Sequence, residues 1–224
     1  MKTKLSTFSA SIWLVVIVIF SMVMAMGFGT AELGFEQLGQ CLIGECERPI
    51  YATILVDIRF PRVLMGFLAG FALAAAGALM QNVTRNPLAD PYLFGIVAGA
   101  GLGATLSGYL PQEYQVFTLP VAAFMGAMLS VGIVMIVLMQ NNWRKIEHLL
   151  LAGVAVSFLL SAITSFILYF GEAFASNRVI FWLMGSLSRA DYGALQWSFP
   201  VIVVCLTIAL IFSRQLDALL LSDE

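Results

Sequence analysis

Residues 63–80 read VLMGFLAGFALAAAGALM, residues 81–90 read QNVTRNPLAD, and residues 91–103 read PYLFGIVAGAGLG. The first block has no charged residue and approaches the ~20 apolar residues that one helix needs to cross a bilayer. The middle block collects Asn86 and Pro87, which shape a tight polar turn. Asp90-Pro91 is a helix start, because Asp caps orphan amides and Pro is tolerated at the first helical position. The third block is apolar again. Two uncharged helices joined by a short polar turn predict a membrane protein of several spans.

Working outward, the rest of the chain repeats that pattern. Of 224 residues, 61% are hydrophobic and 11% charged, against roughly 45–50% and 25% in a soluble domain. A single soluble core cannot absorb so much apolar material. The net charge of −2 provides no basic field for nucleic acid. Six apolar runs stand out: about 12–26, 63–80, 92–110, 116–139, 147–170 and 192–212. They are predicted to be helices, since a lone strand in lipid leaves its backbone unpaired. The alternating short segments of an outer-membrane barrel are missing. The expected fold is therefore an all-α polytopic membrane protein of about six spans in one domain. Met1-Lys2-Thr3-Lys4 ahead of the first run also fits a cleaved signal peptide, with Ala25 near the cleavage site. Five further spans favour an uncleaved helix.

Orientation follows Lys and Arg at the span ends. With the N-terminus inside, Lys2, Lys4, Arg85, Arg144, Lys145 and Arg214 are cytoplasmic. Arg48, Arg59, Arg62, Arg178 and Arg189 are then outside. The bias is small, and it leaves the outer arginines to be explained. The longest outer loop, 27–60, is acidic, with Glu32, Glu36, Glu45, Glu47 and Asp57. It also holds Cys41 and Cys46. In an oxidising compartment these can pair as a disulfide. Spacing alone equally admits two free thiols. Cys205, in mid-span, reads as a small packing residue.

Small residues recur every four positions, on one helix face each. The rows are Gly66, Gly70, Ala74 and Ala78; Gly95, Gly99, Gly103 and Ser107; Ala122, Gly126 and Ser130; and Gly153, Ser157, Ser161 and Ser165. Small faces let helix backbones approach closely, so helix seams are the first reading. The last row is mostly hydroxyl. It reads either as a polar pathway lining or as serines bonded to their own helix. No charge lies in the centre of a span, which argues against a proton-coupled carrier. His148, the single histidine, sits at a span edge beside Glu147, a poor place for a haem ligand. No metal cluster, phosphate loop or nucleophile–base pair is visible, so neither a cofactor nor an enzymatic role is expected of this chain.

Ile58-Arg-Phe-Pro-Arg62, Ala69 to Gln81, Thr84-Arg-Asn-Pro-Leu-Ala-Asp-Pro91 and the glycines Gly95 to Gly103 together resemble the FecCD permeases of iron-siderophore, haem and vitamin B12 ABC importers. The likeness continues more loosely through Trp182-Leu-Met-Gly-Ser186. It implies a type II ABC importer permease in the bacterial inner membrane, with both ends of this chain cytoplasmic. It implies partners too: a second permease copy or related chain, cytoplasmic ATP-binding subunits, and a periplasmic or extracellular substrate-binding protein. The resemblance assigns Arg59 and Arg62 to docking of that binding protein, whose carboxylates suit guanidinium forks. The alternative is that they only anchor the second span at the interface. By helix order the resemblance favours Ser157, Ser161 and Ser165 as pathway lining. It sets Asn86, Pro87, Asp90 and Pro91 in a cytoplasmic turn near the ATPase. It places a short outer helix around 175–187, flanked by Arg178 and Arg189.

Such permeases have about ten helices, and their coupling segment follows the sixth. Here Arg214-Gln-Leu-Asp-Ala-Leu-Leu-Leu-Ser-Asp-Glu224 ends the chain. The expectation is the N-terminal portion of a permease: a truncated product, a split gene or an incomplete sequence. A competing expectation is a fragment that assembles with full permeases without transporting.

Overall fold

The computed structural model describes residues 7–29, 34–87, 89–140, 146–171 and 173–215. Lys2, Lys4, Glu32, Arg144, Lys145 and the tail beyond residue 215 lie outside the described residues. Among the described residues every regular element is helical. In chain order these are α1 (Thr7–Gly27), α2 (Phe35–Leu42), α3 (Pro49–Thr53), a π-helical turn (Ile54–Arg59), α4 (Phe60–Thr84), a 3-10 turn (Pro91–Phe94), α5 (Ile96–Ser107), α6 (Gln112–Gln140), α7 (Ile146–Phe170), α8 (Ala173–Leu183) and α9 (Tyr192–Ile211). Among the described residues five helices are long and apolar enough to cross a membrane: within α1, Pro49–Thr84, and within α6, α7 and α9.

Two of the expected spans differ from their sequence reading. The second begins far earlier than residue 63, because α3, the π-helical turn and α4 form one run of 36 residues. Pro61 sits inside that run. The third is broken. Asp90 does cap, its Oδ1 accepting from the Tyr92 N–H at 2.8 Å, but what it caps is the 3-10 turn. Gly95 then takes a left-handed conformation, φ 71°, and α5 starts afresh at Ile96. Its 12 residues span roughly 18 Å, short of a ~30 Å hydrocarbon core. An apolar count cannot see a left-handed glycine inside an apolar run.

The described chain divides into two compact units. One contains Ala75–Ser186. Its centre is α5, with Gly99, Gly101, Leu102, Gly103, Ala104, Thr105 and Ser107 all buried. A Cβ at Gly99 would strike the Gly126 carbonyl, and one at Gly103 would strike the Ala122 carbonyl. The glycine rows of α5 and α6 thus meet backbone to backbone, as small faces allow. Leu102, Val134, Ala152, Val156 and Leu160 join α5, α6 and α7 in one apolar core. Ser130 is fully buried and donates to the Phe94 carbonyl at 3.1 Å. That bond pairs a backbone group at the end of the 3-10 turn, where an interrupted helix needs help.

The other unit contains the chain up to Ala74 together with Leu187–Ile211. Here the long helices α1 and α9 expose most of their surface. A small cap covers the start of the 36-residue run. Leu38 of α2 and Leu55 of the π-helical turn are buried together, with Met26, Cys41, Tyr51 and Ile54 packed around them. Cys41 and Cys46 are joined in a disulfide that closes the end of α2.

Candidate functional site

The π-helical turn organises the first candidate site. Proline has no N–H and clashes within an α-helix. Just before Pro61 the ladder widens: the Phe60 N–H reaches back to the Leu55 carbonyl, five residues away. Such bulges are often found at functional sites. In this register the next donor, residue 61, would serve the Val56 carbonyl, but Pro61 offers none. The Tyr192 hydroxyl donates to Val56 O instead, at 2.9 Å.

The two arginines that flank Pro61 have different surroundings. Arg59 is only 7% exposed. Its Nη1 donates to the Met26 carbonyl at 2.7 Å and the Gly27 carbonyl at 3.3 Å, the last carbonyls of α1. A cation at a helix C-terminus meets both the orphan carbonyls and the negative end of the dipole. Gly29 makes room for it: a Cβ there would lie 2.7 Å from Nη2. Arg62 is exposed. Its Nη2 donates to the Ser188 carbonyl at 3.0 Å, which aims the guanidinium while its other N–H groups stay at the surface. Arg189, next to Ser188, is exposed as well. The docking expectation names Arg59 and Arg62 alike; in the structure Arg59 is turned inward onto the end of α1, whereas Arg62 stays at the surface. Arg178 falls in α8, the helix expected near 175–187.

The hydroxyl row of α7 emerges gradually from the packing. Ala152, Val156, Leu160 and Thr164 form the buried face. The neighbouring row begins buried at Gly153, is half-buried at Ser157, and is exposed at Ser161 and Ser165. Ser157 donates to its own Gly153 carbonyl at 2.7 Å, the back-bonding alternative. Ser161 and Ser165 hold the open part of the row.

The 81–90 turn is tightly tied. The Asn86 N–H donates to Gln81 O, the Gln81 side chain donates to Pro87 O, and the Ala89 N–H donates to Asn86 O. Arg85 is left-handed at φ 50°, a strained choice for a residue with a Cβ. Ala89 is buried, whereas Gln81, Asn82, Arg85 and Asp90 are exposed. The turn is thus a pinned loop with a polar outer surface. Among the described residues no cluster of His, Cys, Asp and Glu could hold a metal ion.

This chain matches the model of the FecCD transport family over residues 15–224. It belongs to that family. The FecCD chain is 35% identical over 216 residues to the ferric enterobactin transport system permease protein of Escherichia coli, covering 94% of this chain and 63% of the relative. It is 35% identical over 177 residues to the cobalamin import system permease protein of Halobacterium salinarum, covering 79% and 47%. It is 28% identical to the molybdate import system permease protein of Haemophilus influenzae, covering 94% and 64%. Among solved structures it is similar to an inward-facing conformation of a metal-chelate type ABC transporter, with TM-score 0.78 and 25% identity, over 95% of this chain and 64% of the other. The FecCD chain therefore spans between about half and two thirds of the length of the curated relatives it matches.

Sequence reasoning missed the bonds made by Tyr192 and Ser130, and the bulge. The mostly apolar stretch Ile50 to Val56 just ahead of Pro61 was the available sign that the helix begins before the proline.

Proposed function

We propose that this chain is the membrane-spanning permease subunit of an ATP-driven, binding-protein-dependent importer of iron-siderophore, haem or cobalamin-type complexes. Membership of a transport family over residues 15–224 carries the reading. The five long apolar helices support it. Similarity to permeases named for ferric enterobactin and cobalamin supports the cargo class. Similarity to one named for molybdate keeps the individual substrate open. In this reading the chain lies in the cytoplasmic membrane with its ends inside. It pairs with a second permease copy or related chain, and it takes its energy from separate ATP-binding subunits. ATP-dependent uptake by the assembled transporter in proteoliposomes tests it. Ferric siderophore, haem and cobalamin are offered in turn, and accumulation of none of the three overturns the proposal.

Arg62 is the docking residue in this proposal, with Arg189 beside it and Arg59 supporting from below. Exposure and a fixed guanidinium favour Arg62 as the carboxylate receptor. Arg62→Glu is expected to weaken capture of the substrate-binding protein at least tenfold, about 1.4 kcal/mol or more. Titration against the immobilised transporter checks this, and unchanged affinity removes the docking role. Ser161 and Ser165 are proposed to line the pathway. The turn carrying Asn86, Pro87, Asp90 and Pro91 is proposed to face the ATPase side.

A further inference from the structure

The arginine rim hangs from two ties to the segment before and at the start of α9. One is Arg62 to the Ser188 carbonyl, and the other is Tyr192 to the Val56 carbonyl. The second has a definite cause. Pro61 cannot supply an N–H, so the Val56 carbonyl takes its partner from outside its own helix, the Tyr192 hydroxyl. Tyr192 is itself held in place. The Asp191 Oδ1 accepts from the Ala194 N–H at 2.7 Å and caps α9, so residue 192 is locked into the first turn. The Tyr192 ring also lines a groove with Leu64, Leu68, Leu195 and Phe199. The ring therefore has packing that does not depend on the hydroxyl.

We propose that Tyr192 is the positioning residue of the arginine rim. Its hydroxyl supplies the hydrogen bond that Pro61 withholds from Val56, and so keeps the π-helical turn and Arg62 in register with Ser188 and Arg189. The inference deepens the docking reading and rests on it for its functional consequence, while the bond itself is tested separately.

The test is a cycle of Tyr192→Phe and Pro61→Ala, read by amide hydrogen exchange in the purified chain. In the natural background, Tyr192→Phe is expected to speed exchange in peptides covering residues 49–62 by about fivefold, as loss of one hydrogen bond in a locally opening turn would. With Pro61→Ala, residue 61 has its own N–H, and Tyr192→Phe should then change exchange little. The two substitutions are thus strongly non-additive. Equal acceleration in both backgrounds, or none in either, overturns the proposal. If Pro61→Ala does not fold, 4-aminophenylalanine incorporated at position 192 replaces it in the comparison. Its para amino N–H donates from the place of the lost hydroxyl, so it should retain protection that Tyr192→Phe loses; equal loss in both overturns the proposal. In the assembled transporter, Tyr192→Phe should lower affinity for the substrate-binding protein about threefold, and by less once Arg62→Ala is present. If Arg62→Ala alone leaves affinity unchanged, the docking reading fails, and the exchange cycle still decides the role of Tyr192.

Discussion

The unit built around α5 and the unit holding α1 and α9 secure their helices by different means. Around α5, helices meet through bare backbone: Gly99 against Gly126, and Gly103 against Ala122. The apolar stretches of α6 and α7 are each 28% buried. In the other unit the corresponding figures are 0% for α1 and 6% for α9. There the attachment is made at points, each a side chain reaching a carbonyl: Arg59 to Met26 and Gly27, Arg62 to Ser188, Tyr192 to Val56. In lipid there is no hydrophobic drive between apolar helices. A helix must therefore either approach closely enough for dispersion or be tied by polar bonds. The first solution consumes the helix faces. The second leaves them open to lipid or to other chains.

Substitutions can break this contrast. Gly103→Val should have the largest effect, a loss of roughly 3 kcal/mol or failure to fold, because the added carbons collide with a backbone carbonyl that cannot swing aside. Thermal unfolding in detergent reads it, and a loss below about 1 kcal/mol would mean the α5–α6 seam is looser than described. Arg59→Ala comes next, at about 2 kcal/mol, since it strips the end of α1 of a charged donor and leaves two carbonyls unserved. Its signature is local: proteolysis near residues 27–29 should accelerate before the α5 unit melts. Gly70→Ala should be the mildest. A Cβ there meets nothing within 4 Å, so a change within about 0.5 kcal/mol is expected. A large loss at Gly70 would show that α4 packs as tightly as α5.

The same contrast governs what could be read from the sequence. Backbone seams leave a periodic trace, and the rows Gly95, Gly99, Gly103 and Ala122, Gly126, Ser130 are visible in the bare letters. The row Gly66, Gly70, Ala74, Ala78 looks the same, yet Gly70, Ala74 and Ala78 are exposed. Spacing shows that a face is small, not that a neighbour occupies it. Point ties leave no period. The inward turn of Arg59 depends on where α1 ends, some thirty residues away, and the link from Tyr192 to Val56 crosses still more of the chain. The break at Gly95 was hidden because glycine also belongs to the packing row. Of the candidate site, the motif and its charges were legible. The division of labour between Arg59 and Arg62 was not, since it is set by tertiary contacts.

The π-helical turn has a consequence for angle. Between the Leu55 carbonyl and the Phe60 N–H it holds one residue more than an α-helical turn would. One residue corresponds to about 100° of rotation around a helix axis. Removing a single residue from the 54–59 stretch would close an ordinary helix and leave every side chain of α4 in place. It would also swing Pro49–Thr53, and with it the disulfide-closed cap, about a quarter of the way around the axis. The proline and its bulge therefore set a phase: they decide which compass bearing the cap takes on its own helix.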